Sequence, residues 1–403
     1  MNLGLFALHA ASSYWAVHSG LSLWKAARAN RLYSKHRKWM DSAIESTPQK
    51  KVALIIATKG VSETFERFLD FILTQDYRNY RVIFVTESAA DPAHATITKR
   101  LKDHDGKPEV ELLVAGLSEK TGQKVHNLRF ALLSLKDEDE IIAFADADFH
   151  GRKDWLACLT HPLNTGQTDF TTGYRWFIPA SHSLPNQIIG SLAIAMESWI
   201  TSGWRMLLWG GSMAVSRNVY EELEICKNLD LCINDDVRIT ELAHAAGKKL
   251  SYVRSAEANT PVDYTFPSLF EFGRRQYICL VLHRKRILYT AVLFPLLYLI
   301  SFALCIALLS GGNLWMLITI GFVISSNFLR QRIRTNYVSE RFSGTDKSKL
   351  LSSISNSWCI DPIEKLANLV IAVCALPAKK MVWGDIHYRI SGPRSIEIIE
   401  RDT

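Results

Sequence analysis

The pattern of apolar and polar positions divides the chain into a central region of short, alternating segments and longer uncharged segments on either side of it. From residue 50 to residue 255, apolar runs of strand length alternate with stretches that repeat apolar residues at helical spacing. The predicted strands are Val52–Ala57, Arg81–Thr86, Glu109–Ala115 and Glu140–Ala145, and the predicted helices are Glu63–Gln75 and Val125–Leu135. Strands that alternate with helices are typical of a largely parallel sheet with helices on both faces. The predicted fold class is therefore α/β.

The uncharged segments on either side predict membrane helices. Residues 287–309 carry no charge, and a stretch of this length can cross a bilayer. A shorter run at 314–329 follows the polar residues 310–313, so the two predict a helical hairpin. A third segment, 2–24, is diluted by histidines and serines. A signal peptide is the competing interpretation of that segment, and it is disfavoured because no basic residue precedes the apolar part and no clear small-residue cleavage site follows it.

Charge at the borders of these segments indicates their orientation. The basic residues lie after the first segment, before the second and after the third, namely Lys25, Arg28, Arg31, Lys35, Arg37, Lys38, Arg284, Lys285, Arg286, Arg330, Arg332 and Arg334. By the positive-inside rule, the central region and the chain after the hairpin are cytoplasmic. The formal net charge of +7 is thus explained by anionic lipid headgroups. No nucleic-acid motif is present, and no nucleic-acid partner is expected.

These patterns predict an integral membrane protein with five regions. They are an N-terminal membrane segment (1–27), a basic juxtamembrane linker (28–49), a cytoplasmic α/β domain (50–282), a transmembrane hairpin (287–330) and a cytoplasmic or interfacial C-terminal region (331–403). In the last region, the apolar run 366–377 is short for a span and predicts an interfacial or re-entrant helix. The seven cysteines show no metal-binding spacing, so reduced thiols are expected.

Two carboxylates directly follow the last predicted strand. Asp146 and Asp148 are two residues apart, so both side chains point to the same side of an extended chain. The ends of parallel strands are where open α/β sheets bind ligands. Oxygen pairs of this kind suit Mg²⁺ or Mn²⁺, which often bridge carboxylates to the phosphates of a substrate. A solvated turn after the strand would give the same pattern.

Three further segments carry candidate chemistry. Asp235 and Asp236 open a stretch of helical spacing, where acidic residues also serve as simple caps. Ahead of them, the loop 209–214 contains Gly210 and Gly211, which can bring the backbone close to a ligand or form an ordinary turn. The segment 273–277 combines arginines with an aromatic residue just before the hairpin, and it fits either a diphosphate or a basic membrane border.

The order of these elements resembles that of the family 2 glycosyltransferases with a GT-A fold, and in particular the ceramide glucosyltransferases and their bacterial relatives. The resemblance runs from about Lys51 to Leu282. Its local matches are Ala57-Thr58-Lys59-Gly60-Val61, Gln75-Asp76-Tyr77 with Tyr80 and Val82, Asp91-Pro92-Ala93, and Lys124-Val125-His126-Asn127-Leu128. Each motif is weak alone, and the ordered set is specific.

The resemblance implies a role for each matching position. Asp146 and Asp148 match the acidic motif that binds the metal and the sugar nucleotide, and Asp236 matches the general base. The residues implied in substrate binding are Lys59, Glu87, Lys124, Asn127, Asp146, Asp235, Arg274, Arg275, Gln276 and Tyr277. Glu87 stands where the family usually has aspartate, with Asp91 as the rival match. The closing motif of the family is imperfect here, because Gly273, Gln276 and Tyr277 occupy its places in one register.

The implied activity is the transfer of a sugar, expected to be glucose, from a UDP-sugar to the hydroxyl group of a membrane lipid such as ceramide or diacylglycerol. The transfer would invert the anomeric carbon and need Mg²⁺ or Mn²⁺. A polysaccharide synthase of the same fold is one alternative, and so few membrane segments disfavour it because polymer extrusion needs a channel. A non-catalytic membrane protein that binds nucleotide sugars is the other alternative, and retention of the acidic residues argues against it.

Overall fold

The computed structural model describes residues 3–199, 203–309 and 313–402. The helices are α1 (Leu3–Ser46), α2 (Phe65–Leu73), α3 (Pro92–Leu101), α4 (Gln123–Leu132), α5 (Trp155–Asn164), α6 (Leu184–Trp199), α7 (Arg217–Glu222), α8 (Ile225–Asn228), α9 (Asp236–Ala245), α10 (Phe266–His283), α11 (Lys285–Leu309), α12 (Leu314–Arg341), α13 (Gly344–Ser353) and α14 (Asp361–Ala375). The strands are β1 (Val52–Ala57), β2 (Tyr80–Thr86), β3 (Glu109–Val114), β4 (Ile141–Ala145), β5 (His150–Gly151), β6 (Phe170–Pro179), β7 (Ser212–Ser216), β8 (Leu250–Val262), β9 (Lys380–Val382), β10 (Ile386–Gly392) and β11 (Ser395–Arg401).

An eight-stranded sheet forms the centre of the fold, in the order β3-β2-β1-β4-β7-β6-β8-β5. The predicted strands and helices up to residue 145 are confirmed within a few residues at each end. Side chains along β1 alternate between two buried clusters: Leu54 and Ile56 pack on one face of the sheet, and Ala53 and Ile55 on the other. The prediction of helices on both faces is therefore confirmed.

The sheet is mixed, which corrects the prediction of a largely parallel one. β3, β2, β1 and β4 are parallel, but β7 is antiparallel to both β4 and β6, and β5 is antiparallel to β8. Parallel neighbours need a crossover connection between them. The first four strands have such crossovers, whereas the chain after β4 passes through β6 and α6 before β7 returns beside β4 from the opposite end.

The first helix joins the apolar helices to the domain that contains the central sheet. α1 runs without a break through the segments predicted as a membrane segment (1–27) and a linker (28–49). Near its start, Trp15 packs in a cluster with Tyr298 of α11 and Met316 of α12. Farther along, the Arg37 guanidinium donates a 2.5 Å hydrogen bond to Asp154, which lies next to α5. The basic residues from Arg28 to Lys38 thus lie in the same helix as the N-terminal apolar segment.

The predicted hairpin corresponds to α11 and α12, and three residues of its turn, 310–312, lie outside the described residues. Within the part of the chain that the structure describes, α11 is the one helix long and apolar enough to cross a membrane. α12 continues to Arg341, beyond the predicted boundary at 330.

The predicted interfacial run 366–377 falls largely in α14, whose Ile363, Leu366 and Val370 are exposed and whose Asp361 and Glu364 are buried. A small antiparallel sheet, β11-β10-β9, follows it and was not predicted. β9 and β10 are joined by a two-residue turn in which Gly384 and Asp385 both have positive φ, at 59° and 61°. Trp383 and Ile386 exchange backbone hydrogen bonds across it, which is the pattern of a tight hairpin with a mirror-image turn.

Candidate active site

A cleft with a volume of about 350 Å³ opens at the carboxyl ends of β1 and β4. The first turns of α4 and α9 and one face of α10 form its other sides, and the turn between β9 and β10 leans over it. Its polar lining includes Lys59, Lys124, Asp146, Asp148 and Asp236. The structure therefore brings together residues that are up to 177 positions apart in the sequence (59 to 236).

The two carboxylates after β4 have different partners. Asp146 Oδ1 accepts a 2.7 Å hydrogen bond from Lys124 Nζ. Burial alone would raise the pKa of Asp146, but Lys124 and Arg175 outweigh it and hold that pKa below its usual value. Asp148 Oδ2 lies 3.4 Å from Arg175 Nη1, and its Oδ1 is buried without a hydrogen-bond partner. Loss of hydration at that buried oxygen raises the pKa of Asp148, and the Arg175 charge offsets only part of this effect.

Asp236 is the first residue of α9 and faces the cleft, as the sequence pattern predicts for a helix start. Its Oδ2 accepts a 2.9 Å hydrogen bond from the backbone N–H of Gly210, and its Oδ1 accepts one of 2.6 Å from Val237 N–H. Burial and the neighbouring charge of Asp235 raise the pKa of Asp236 to about 6. A carboxyl group with such a pKa is ionised at neutral pH and still basic enough to accept a proton.

Lys124 is the cation that joins the two acidic pairs. Its Nζ lies 2.7 Å from Asp146 and 3.4 Å from Asp235, whose carboxylate is almost completely buried. Burial alone would lower the pKa of Lys124, but the surrounding carboxylates outweigh it and keep the amine charged well above neutral pH. A fixed ammonium group in this position suits the phosphates of a nucleotide.

The glycine loop lets the acidic groups pack closely together. A Cβ atom on Gly210 would stand 2.5 Å from Asp235 Oδ2, and one on Gly211 would stand 2.6 Å from Asp146 Oδ2. Neither position can hold a larger residue without moving these carboxylates. The predicted close approach of this loop therefore serves the acidic side chains themselves.

Only part of the predicted segment 273–277 reaches the cleft. Arg275 and Gln276 line it, whereas Arg274 binds Glu271 and the Lys380 carbonyl outside it. Tyr277 points the other way, and its hydroxyl donates a hydrogen bond to Asn368 of α14. Arg274 and Tyr277 therefore do not line the cleft, because successive residues on a helix point in directions about 100° apart.

The remaining predicted positions lie at the end of the cleft near β1 and β2. Lys59 lines it and forms a 3.2 Å ion pair with Glu87, which lies behind it. Asn127 lines it one turn after Gln123 and accepts a 2.8 Å hydrogen bond from that side chain. Asp91, the rival of Glu87, caps α3 instead: its Oδ1 accepts hydrogen bonds from the N–H groups of Ala93 and Gly60.

Sequence reasoning missed two contributors to the cleft. Arg175 of β6 faces the acidic pair, in a strand that the apolar pattern did not predict. Trp383, Gly384 and Tyr388 form a wall from the far C-terminus. The Gly384-Asp385 pair between apolar residues was the available signal for the hairpin, since such pairs favour two-residue turns. No local sequence pattern indicates that this hairpin lies over the cleft.

The residues present fit a divalent cation only together with a substrate. No group of three or more His, Cys, Asp or Glu side chains stands ready for a metal anywhere in 3–199, 203–309 and 313–402. Asp146 and Asp148 offer oxygen ligands, and the unpartnered Oδ1 of Asp148 is a free acceptor. Two carboxylates cannot complete a coordination sphere of six oxygens, so the other ligands have to come from a bound substrate and water.

Comparison with known proteins identifies relatives over most of the chain. The sequence model of Glycosyl transferase family 21 matches residues 21–396. Among solved structures, one similar chain is a mannosyltransferase from Pyrobaculum calidifontis in complex with GDP-Man and Mn²⁺, with 16% sequence identity and a TM-score of 0.48. The similarity covers 84% of this chain and 98% of that one. No curated protein matches significantly.

Proposed function

Because the chain belongs to glycosyl transferase family 21, which confirms the resemblance drawn from its motifs, we propose that it is an inverting lipid glycosyltransferase. It moves glucose from UDP-glucose to the hydroxyl group of a membrane lipid such as ceramide or diacylglycerol. The observation that carries this proposal is the position of Asp236, which lies in one cleft with Asp146, Asp148 and the cation Lys124.

The donor is proposed to bind with its diphosphate between the acidic pair and the cationic side chains. Lys124 and Arg275 line the same cleft and supply positive charge toward the phosphates. Mg²⁺ or Mn²⁺ held by Asp148 and Asp146 together with the diphosphate would supply a Lewis acid against the charge on the departing UDP. Lys59, which pairs with Glu87 behind it, lines the cleft just after β1, where the nucleoside would be held.

The transfer step is assigned to Asp236. Its carboxylate takes the proton from the acceptor hydroxyl as that oxygen bonds to C1 of the sugar and the C1–O bond to UDP breaks. Attack from the face opposite the leaving group inverts C1, so an α-linked donor gives a β-glycoside. The hydrogen bond from Gly210 N–H fixes the carboxylate in the cleft, while burial and the charge of Asp235 keep it basic, with a pKa of about 6.

A lipid acceptor is supported by where the cleft lies in the chain. Gln276 and Cys279 of α10 line it, and α11, the apolar helix, begins six residues after Cys279. The amphipathic helix α14 packs against both α10 and α11 and exposes apolar side chains. A hydroxyl group presented at a membrane surface would reach the cleft without the lipid leaving the bilayer. With the basic borders of the segments, this favours a catalytic domain on the cytoplasmic face.

Release of UDP tests the proposal. Purified protein in lipid nanodiscs would be given UDP-glucose with or without ceramide or diacylglycerol, and with Mg²⁺, Mn²⁺ or a chelator. We expect UDP release only when donor, lipid and metal are all present. Binding of UDP-glucose with no release under any condition would indicate a nucleotide-sugar receptor, and release that does not depend on lipid would indicate a hydrolase.

A further inference from the structure

Arg175 enters the cleft because of an irregularity in β6. The pairing of β6 with β8 shifts register between Thr172 and Tyr174. Gly173 lies at the shift, where a Cβ atom would stand 1.8 Å from the Ala256 carbonyl oxygen. Such bulges redirect the side chains that follow them and recur beside active sites. Tyr174 and Arg175 are the two partly exposed positions in a strand that is otherwise buried.

Aromatic rings surround the Arg175 guanidinium. Its central carbon lies 4.9 Å from the ring centre of Phe177, 5.4 Å from that of Trp209 and 5.5 Å from that of Phe272. Ring faces attract a cation without forming directional hydrogen bonds. The aromatic residues therefore hold the charge at the cleft. The N–H groups of the guanidinium can still donate hydrogen bonds to acceptors in the cleft.

The ion pair between Arg175 and its acceptor, Asp148, is long and exposed on the side of Asp148. Its Nη1 lies 3.4 Å from Asp148 Oδ2, and the Asp148 side chain keeps 49% of its exposure. The neighbouring pair, Lys124 with Asp146, is shorter at 2.7 Å, and both side chains are 22% exposed. An ion pair that is long and open to water is worth little. Of the two carboxylates, Asp148 is therefore the one whose cation can be displaced.

We propose that Arg175 exchanges partners during donor binding. It neutralises Asp148 in the donor-free enzyme and turns to the donor diphosphate when the nucleotide sugar and its divalent cation bind. The inference rests on the proposed function, because it takes the ligand to be a nucleoside diphosphate sugar. A guanidinium group matches two phosphate oxygens at once, and a dication at Asp148 would repel it from there.

The exchange gives Arg175 two effects of opposite sign. Without donor, its charge competes with the metal for Asp148 and weakens metal binding. With donor, it adds hydrogen bonds to the diphosphate and strengthens donor binding. Metal binding then depends on the donor for two reasons. The donor phosphates supply ligands to the metal, and they also draw the positive charge of Arg175 away from Asp148. A side chain that only supports the fold would not produce this opposition.

Mn²⁺ binding to donor-free protein, followed by the electron paramagnetic resonance of free Mn²⁺, tests the exchange. R175Q should bind Mn²⁺ about tenfold more tightly than wild type, and its KM for the UDP-sugar should rise about ten- to hundredfold because charged hydrogen bonds are lost. R175K keeps the charge but not the fork, so its donor-free Mn²⁺ affinity should stay close to that of wild type while its KM rises.

Arg152 provides the matched control, because it is 63% exposed and pairs with Asp154 outside the cleft. R152Q should change neither quantity. Unchanged donor-free Mn²⁺ affinity in a folded R175Q protein would overturn the exchange, even if transfer were lost. A wild-type protein that transfers no sugar would instead contradict the proposed function, and the comparison of Mn²⁺ affinities would still give its own answer.

Discussion

At the scale of single residues, the ionisation of Asp236 should set the acid limit of activity. Its pKa of about 6 lies above the ordinary value of 3.8. A general base works only when deprotonated, so kcat/KM should fall as pH decreases through about 6 and level off above it. The pH dependence of kcat/KM, measured with subsaturating donor, checks this prediction.

Asp235 supplies the control for that interpretation. Its negative charge is one cause of the raised pKa of Asp236, second to burial, so D235N should move the acid limb to lower pH. D230N changes a carboxylate outside the cleft, where Asp230 pairs with Arg129, and it should leave the limb in place. An acid limb that stays at the same pH in D235N would assign it to a group other than Asp236.

Residue identity and order along the chain were enough to predict which carboxylates meet. Asp146, Asp148 and Asp236 follow strand ends and helix starts, and such positions gather at one edge of an α/β sheet. The same reasoning could not orient α10, because which face of a helix meets a cleft depends on its neighbours. Arg275 lines the cleft, whereas Tyr277, two residues on, contacts α14.

At the scale of elements, Tyr277 should stabilise the packing of α10 against α14. Its hydroxyl donates a hydrogen bond to Asn368 in a partly buried setting. Y277F should therefore lower the free energy of unfolding by about 1–2 kcal/mol, with little change in the KM for the donor. Thermal unfolding and donor kinetics on the same preparation check this. A large rise in the KM for the donor at unchanged stability would instead indicate that Tyr277 contacts the substrate.

The hairpin between β9 and β10 should contribute to donor binding. Lys59 Nζ donates a 2.8 Å hydrogen bond to the Gly384 carbonyl, and Tyr388 OH accepts one of 3.1 Å from the backbone N–H of Gln123. Trp383 lies 5.3 Å from the Arg275 guanidinium, measured from its ring centre. W383A should raise the donor KM about fivefold to thirtyfold, since it removes a desolvated cation–π contact and a wall of the cleft.

Val382 is the control for Trp383, because it directly precedes it at the end of β9 and its side chain is exposed. V382A should leave the donor KM unchanged. If W383A raised the KM for the lipid alone, the hairpin would belong to the acceptor side of the cleft. The aromatic residues of this segment were visible in the sequence. The contacts of Gly384 with Lys59 and of Tyr388 with Gln123 span more than 250 residues, however, and no local pattern predicts them.

At the scale of the whole molecule, the start of α12 and the small C-terminal sheet should lie on opposite sides of the membrane. Leu314, at the start of α12, should face the external side, and Lys380, at the start of β9, should face the cytoplasm. Both side chains are exposed. In a background without the exposed Cys359 and Cys374, K380C should react with a membrane-impermeant thiol reagent only after the cells are opened, and L314C before.

Labelling of K380C in intact cells would contradict this topology, because the C-terminal sheet would then be external together with the cleft that it covers. The uncharged length of α11, the one helix among the described residues that is long and apolar enough to cross a membrane, was predictable from the sequence. The continuity of the N-terminal segment with the central domain was not predictable. Its basic residues have the charge pattern of a linker, but they lie in the single long helix α1.

The most direct test of lipid glycosyl transfer by Asp236 is the product itself. Purified protein would be incubated with UDP-[¹³C]glucose, Mg²⁺ or Mn²⁺ and a total lipid extract, and the lipids analysed by mass spectrometry and by NMR of the anomeric carbon. We predict a β-linked monohexosyl lipid from the wild type. D236N should reduce its formation by about 10²–10⁴-fold while still binding UDP. An α-linked product, labelled polymer without glycolipid, or undiminished transfer by D236N would contradict the assignment.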